Sequence, residues 1–228
     1  MGASAMRLVR IRFEKTGRSK YISHLDLTRC MSRALKRAQI PIWYTQGFNP
    51  HPYMTFALPL SLGIESLCES MDIKIEGEMQ NDQIEESLSK VMPEGISVYS
   101  VYDAKMDARK IAFAQYDILL ELSSGDVDNF VYSAKALLDC DELIVEKLGK
   151  KGRKKVVKQV NLIEHIKSQK ITSSEKQVKI MVQLSAGSSA NINPNLLVDV
   201  LIEKIGVEPE SVKIIRKSLY TESGEEFL

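Results

Sequence analysis

The order of strand and helix patterns in the first half of the chain recurs in the second half, and this recurrence restricts the fold most. In each half, a strand pattern is followed by a helix, further strands, a second helix and a last strand. That order is typical of ferredoxin-like domains. The sequence therefore predicts an α+β protein of two tandem ferredoxin-like (βαββαβ) lobes, at residues 6–104 and 111–220. Residues 1–5 are interpreted as an addition before a native start at Met6, and residues 221–228 as an acidic tail that frays.

The first lobe begins with a strand over residues 7–14. Apolar and basic residues alternate there, and a period of two predicts a strand with one buried face and one solvated face. The apolar positions are Val9, Ile11 and Phe13, and the basic positions of the opposite face are Arg10 and Arg12.

A helix follows from Ser23 to about Gln39. Ser23 and Asp26 form a capping-box pattern at its start, and the helix must end before Pro41. One face is apolar, whereas the other carries basic residues at helical spacing: Arg29, Arg33, Lys36 and Arg37. The sequence leaves open whether this basic face is an ordinary solvated surface or a surface for an anionic partner.

The remaining patterns complete the two lobes. In the first, strands are predicted at 42–45, 54–58, 70–76 and 96–102, and a helix at 81–92 with Asn81 as its N-cap. In the second, strands are predicted at 115–122, 143–148, 154–160, 178–184 and 212–219, and helices at 126–138, 162–166 and 194–205.

The cysteines and the hydropathy restrict the class of protein. Cys30, Cys68 and Cys140 are odd in number and far apart, which favours a reducing compartment and lacks the spacing of zinc and iron–sulfur sites. The sequence has no apolar run of ~20 residues and no signal-peptide pattern. It also has no P-loop or dinucleotide-binding glycine pattern. A cytoplasmic protein without cofactor, metal or membrane contact is predicted.

Charged residues are segregated along the chain although the net charge is only +1. Residues 6–41 carry a net charge of +8, residues 42–108 of −8, and residues 147–170 of +8. Such asymmetry indicates an anionic partner unless the segments neutralise one another. In the last segment, the predicted hairpin tip GKKGRKK offers Lys151, Arg153 and Lys154 as phosphate contacts. The alternative for this tip is a solubilising surface.

Residues 21–69 concentrate the side chains that could carry chemistry. The segment Asn49-Pro50-His51-Pro52 is stiff, because each proline fixes its own φ and restrains the preceding residue. A single concave site is predicted from this loop and the start of the helix. Tyr21, His24, Asn49 and His51 are predicted to line it, with Glu65 or Glu69 at its rim. Phe48 and Tyr53 are further substrate-binding candidates, and His24 and His51 are the candidate catalytic residues. The alternative is that the loop only stabilises the lobe.

Five short motifs in the first third of the chain support a resemblance. They are Phe13-x-Lys15-x-Gly17, Tyr21 to Asp26, Arg33 to Ala38, Gly47 to Pro52, and Leu62 to Glu69. In these motifs the chain resembles the radical-SAM-associated protein family, a bacterial domain of unknown function. The resemblance implies a radical SAM protein as partner, with the redox cluster on that partner, because this chain has no CxxxCxxC motif.

These observations lead to one functional interpretation and two alternatives. The interpretation is an accessory module that binds a substrate, RNA in particular, for a radical SAM protein. The first alternative is a stand-alone RNA-processing or RNA-modifying enzyme that uses His24 and His51. The second is a protein–protein adaptor that uses the same surface.

Overall fold

The computed structural model describes residues 6–123, 125–151 and 154–228, without the side chains of 147–151 and 154–158. The strands pair mostly antiparallel and occur together with helices, so the protein has the α+β class that its sequence predicts. The chain divides into two compact units: unit 1, which contains residues 6–111 and 215–228, and unit 2, which contains residues 112–214.

Unit 1 has a sheet with two helices on one face. Its elements are β1 (Met6–Lys15), α1 (His24–Arg37), β2 (Met54–Phe56), β3 (Glu65–Glu76), α2 (Asn81–Ser89) and β4 (Ile96–Asp103). The strand order is β4-β1-β3-β2, and each of these pairs is antiparallel. The apolar face of β1 packs against the helices, as the alternation of residues predicts. Val9, Ile11 and Phe13 are fully buried there.

The opposite face of β1 is buried as well, and the expectation of a solvated basic face is wrong. The Arg10 side chain is completely buried, with Nε and Nη2 donating to the two carboxylate oxygens of Asp72 at 2.7 and 2.8 Å. Its guanidinium also donates to the main-chain oxygens of Met106 and Leu228, and it lies 4.3 Å from the centre of the Phe227 ring. Arg12 donates to Tyr99 and to the oxygen of Phe227. A guanidinium that is buried away from water requires hydrogen-bond acceptors or an opposite charge, and these oxygens provide them.

Residues 221–228 are not frayed, although the sequence predicts a frayed tail. Phe227 is 1% exposed, and its amide donates to the oxygen of Leu219 at 2.8 Å. The amide of Thr221 donates to Glu225 at 2.9 Å, so the segment turns back on itself. The burial of one aromatic ring explains why a segment of acidic composition is ordered.

Unit 2 combines four strands of the main sheet with a two-stranded hairpin and two helices. Its elements are β5 (Ile111–Glu121), α3 (Val127–Leu138), β6 (Ile144–Lys151), β7 (Lys154–Asn161), β8 (Ile166–Ser173), β9 (Gln177–Ser185), α4 (Pro194–Ile205) and β10 (Ser211–Thr221). The strand order is β10-β5-β9-β8, whereas β6 and β7 form a separate two-stranded hairpin. The sequence did not predict β8, because most of its residues are polar and exposed. The end of β10 belongs to unit 1, where Ile215 and Arg216 pair with β3.

Candidate functional site

The basic face of α1 presents three arginines that follow one another at intervals of about one helical turn. Arg29, Arg33 and Arg37 are exposed and occur every fourth residue. Arg29 pairs with Asp26 at 3.3 Å, and Arg37 donates to the oxygen of Val91 at 3.0 Å. Within the described part of the chain, Arg33 has neither an ion pair nor a hydrogen bond. The guanidinium of Arg33 is therefore available to a ligand.

A short hairpin over residues 43–53 presents the GFNPHP loop. The amide of Thr45 donates to the oxygen of His51 at 2.9 Å, and the amide of His51 donates to the Thr45 hydroxyl at 3.2 Å. These bonds close the loop on itself. The two prolines on either side of His51 restrict the backbone further. Phe48 and Asn49 are exposed at the tip of the loop.

The hydrogen bonds of His51 define which ring nitrogen carries the proton. Nδ1 lies 3.1 Å from the main-chain oxygen of Asn49 and 3.0 Å from the Thr45 hydroxyl. A carbonyl oxygen can only accept, which favours the tautomer with the proton on Nδ1. Nε2 then carries the lone pair and can accept a proton or a hydrogen bond from a ligand.

Helix α1 and the loop enclose an open cavity, here called the arginine cavity, with a volume of about 310 Å³. Its lining residues are Thr28, Arg29, Ser32, Arg33, His51, Pro52 and Met54. A second cavity of about 370 Å³ lies along the same arginines and includes Arg37 and Cys30. The arginine cavity combines two guanidinium groups, two hydroxyls and an imidazole, which together suit a phosphate. The hydrogen bond from the Ser23 hydroxyl lowers the pKa of Asp26, and Arg29 lowers it further.

The structure places His24 and Tyr21 differently from the expected site. His24 is not among the described residues that line the arginine cavity. Its ring instead packs edge-on against Phe56, with 5.0 Å between ring centres. Tyr21 is 68% exposed, and the ammonium of Lys20 lies over its ring. Among the described residues, His51 therefore lines the arginine cavity without His24.

Glu65 and Glu69 are not at a rim, because both are buried. Glu69 is 3% exposed and forms an ion pair with Arg216, which is 1% exposed. Lys15 is also 1% exposed and donates to the oxygen of Ile22 at 2.8 Å. Burial lowers the pKa of Lys15; Glu69 opposes that shift and Arg216 adds to it. The acidic motif residues thus lie in the interior rather than at the rim of a cavity.

Tyr53 lies on the face of the sheet opposite to α1. It lines a further cavity of about 420 Å³, here called the tyrosine cavity. The lining residues are Leu8, Tyr53, Thr55, Asp72, Ala104, Lys105, Met106, Asp107, Ala108 and Arg109. The Tyr53 ring centre is 5.9 Å from that of Trp43, and the ammonium of Lys74 lies over both rings. Arg109 lowers the pKa of Asp107 to about 2.

The prediction that the basic hairpin tip contacts phosphates concerns side chains outside the described part of the structure. Arg153 lies outside the described residues, as do the side chains of Lys151 and Lys154. The backbone of the flanking strands does form the predicted hairpin, with Lys151 opposite Lys154. Among the described residues, no three His, Cys, Asp or Glu side chains come together in a group that could hold a metal ion.

Sequence reasoning missed several members of these sites. Lys15 and Arg216 were not candidates, because a buried lysine or arginine has no local sequence pattern. Trp43 and Lys74 were not predicted to meet, because they are on separate segments. The sequence did contain one indication that Lys15 is buried: it falls on the apolar face of β1 together with Val9 and Phe13.

A family model matches most of the chain. The match extends over residues 8–194, and the family is described as "Uncharacterized protein conserved in bacteria (DUF2344)". The chain belongs to this family. This family, like the one that the five motifs resemble, is bacterial and uncharacterized. No curated protein shows a significant match.

Solved structures that match this chain include the following two. A chain from a Cbf5-Nop10-Gar1 complex is 12% identical with a TM-score of 0.52, over 94% of this chain and 50% of that chain. This chain therefore spans half the length of that protein. An unknown protein from Galdieria sulphuraria is 11% identical with a TM-score of 0.28, over 98% of this chain and 100% of that chain. In the described part of the chain, no helix is long and apolar enough to cross a membrane.

Proposed function

We propose that the chain is an RNA-binding accessory module that presents its substrate to a radical SAM protein and does not catalyse a reaction alone. The observation that carries this proposal is the arginine cavity. Arg29 and Arg33 from α1 meet His51 from the stiff loop around an open space of about 310 Å³. Guanidinium groups bind phosphates with two parallel hydrogen bonds, and phosphate contacts supply most of the affinity for nucleic acid.

The charge around the cavity supports an anionic ligand. Asp26 compensates Arg29 in part, whereas Arg33 has no acidic partner among the described residues. The second cavity continues the basic surface from Arg33 to Arg37. A row of exposed cations along one helix suits a chain of phosphates better than a single anion.

The partnership with a radical SAM protein rests on the five motifs and on the thiols. Cys68 is 2% exposed, and burial raises the pKa of its thiol, which disfavours the thiolate that a cluster needs. Cys30 and Cys140 are isolated in the sequence. A redox cluster belongs on the partner chain in this proposal.

The proposal also includes the finer interpretation of the fold as two ferredoxin-like units. The strand orders β4-β1-β3-β2 and β10-β5-β9-β8 support it, because both correspond to the order 4-1-3-2. In unit 2, the hairpin of β6 and β7 would be an insertion between the first helix and the second strand.

An enzyme that uses His24 and His51 together has less support. The imidazole of His24 packs on Phe56, and His24 does not occur among the described residues that line the arginine cavity. A general acid and a general base must both reach the reacting atoms. A protein–protein adaptor is one of the outcomes that the following experiment distinguishes.

Charge reversal at Arg33 tests the proposal. Arg33→Glu is expected to weaken binding of single-stranded RNA and to reduce the slope of log K against log salt by about 0.7 for each phosphate that the protein no longer neutralises. Lys36→Glu is the matched control, because Lys36 is exposed on the same helix but does not line either cavity. Fluorescence anisotropy with labelled RNA, measured over a range of salt concentrations, gives both quantities.

Two results would oppose the proposal. Equal affinity and equal salt slope for Arg33→Glu and Lys36→Glu would show that the cavity does not contact RNA. No RNA binding by the wild-type chain, together with capture of a radical SAM protein that Arg33→Glu abolishes, would identify a protein–protein adaptor instead.

A further inference from the structure

The edge strand β2 separates two cavities of different chemistry. Pro52 and Met54 line the arginine cavity, whereas Tyr53 and Thr55 line the tyrosine cavity. This division follows from the geometry of a strand, in which successive side chains point to opposite faces. Among the described strands, β2 pairs with β3 alone, so its other side is a free edge.

The tyrosine cavity suits an uncharged aromatic group rather than a phosphate. Asp72 lies in its lining, and the Asp72 carboxylate is already engaged by the buried Arg10. A second carboxylate, that of Asp107, is paired with Arg109. Two carboxylates and two cations, Lys105 and Arg109, line the cavity, so its charges balance and it has no excess of positive charge to attract an anion. The carboxylate oxygens of Asp72 can still accept further hydrogen bonds, such as those from a base amino or imino group.

The aromatic pair beside the cavity provides a surface for stacking. Trp43 and Tyr53 are inclined by 57° to each other, and the ammonium of Lys74 lies 5.2 and 4.5 Å from their ring centres. The cation holds the two rings in place. Tyr53 lines the cavity from this fixed position. Stacking on aromatic side chains is the usual way in which proteins hold the unpaired bases of single strands.

We propose that single-stranded RNA crosses the β2 edge, with a phosphate in the arginine cavity and an unstacked base against Tyr53 in the tyrosine cavity. This inference rests on the proposed RNA-binding function and adds the kind of RNA and the position of a base. A duplex has no free base to place on the opposite face. The site therefore selects single strands over duplexes.

The chain contains an intrinsic reporter for this arrangement. Trp43 is its single tryptophan. A base that stacks beside Tyr53 lies next to the indole and is expected to quench its fluorescence. Oligouridylate is the probe, and the controls are inorganic polyphosphate, which has phosphates without bases, and an RNA duplex of the same length.

The expected results separate the base site from the phosphate site. Oligouridylate quenches Trp43, polyphosphate competes for binding without quenching, and the duplex binds more weakly than the single strand. Tyr53→Leu lowers the affinity for oligouridylate about tenfold or more with an unchanged salt slope. Tyr132→Leu, at an exposed tyrosine of α3, leaves affinity unchanged. A thermal melt confirms that each variant is folded.

Different failures have different meanings. If oligouridylate binds through Arg33 but neither quenches Trp43 nor depends on Tyr53, the base site is wrong and the RNA-binding function stands. Equal affinity for single strand and duplex also overturns the base site. If Arg33→Glu changes no affinity for any RNA, the proposed function itself fails.

Discussion

At the scale of single residues, the interior of unit 1 depends on a group of buried charges. Lys15, Glu69 and Arg216 are each at most 3% exposed. The carboxylate of Glu69 pairs with Arg216, and its charge also acts on Lys15. Buried ions are costly to desolvate and remain stable only with opposite charges and hydrogen bonds. Removal of one of these charged side chains should therefore lower the stability of unit 1 strongly.

We expect Glu69→Gln to lower the free energy of unfolding by about 3–5 kcal/mol, because Arg216 would then be buried without its carboxylate. Lys90→Gln is the control, since Lys90 and Glu86 form an exposed ion pair at 2.7 Å. Removal of that exposed pair should cost far less, because water and salt screen the two charges. Urea denaturation of both variants gives the comparison. Similar decreases for the two would show that the buried pair does not stabilise unit 1.

At the scale of elements, strand β1 shows what a local pattern can establish. The alternation along β1 predicts correctly which face packs on the helices. It cannot reveal what covers the other face, since Arg10 meets Met106, 96 residues away, and Leu228, 218 residues away. The C-terminal segment therefore acts as a cover for β1, anchored by Phe227.

We expect Phe227→Ala to cost about 3–5 kcal/mol of unfolding free energy, because the buried ring leaves a cavity over Arg10. Leu228→Ala should cost far less, since Leu228 is 58% exposed. Chemical denaturation of both variants checks this difference. A decrease below about 1 kcal/mol for Phe227→Ala would contradict the role of the segment as a cover.

The candidate site was predictable in its parts and not in its arrangement. Helical spacing identified Arg29 and Arg33, and the prolines identified a stiff loop at His51. The helix and the loop share a cavity because of the way in which α1 packs on the sheet. No local sequence pattern contains that information. For the same reason, the sequence did not show that Tyr53 and His51, both candidate residues, line different cavities.

At the scale of the whole molecule, the segregated charge of the sequence overstates the basic surface. Of the ten basic residues between Met6 and Pro41, Arg10, Arg12 and Lys15 are buried. The four basic residues of α1 stay at least partly exposed, as do Arg7, Arg18 and Lys20 outside the helix. The proposed RNA binding therefore rests on the arginine cavity rather than on net charge.

Histidine NMR tests that cavity most directly. The chain has three histidines: His51 in the arginine cavity, His24 against Phe56, and His165 in unit 2, 3.3 Å from the Ser185 hydroxyl. On titration with single-stranded RNA, the imidazole signals of His51 should shift, and Arg33→Glu should abolish that shift. The signals of His165 should stay unchanged. Tight RNA binding that leaves the His51 signals in place would contradict the account.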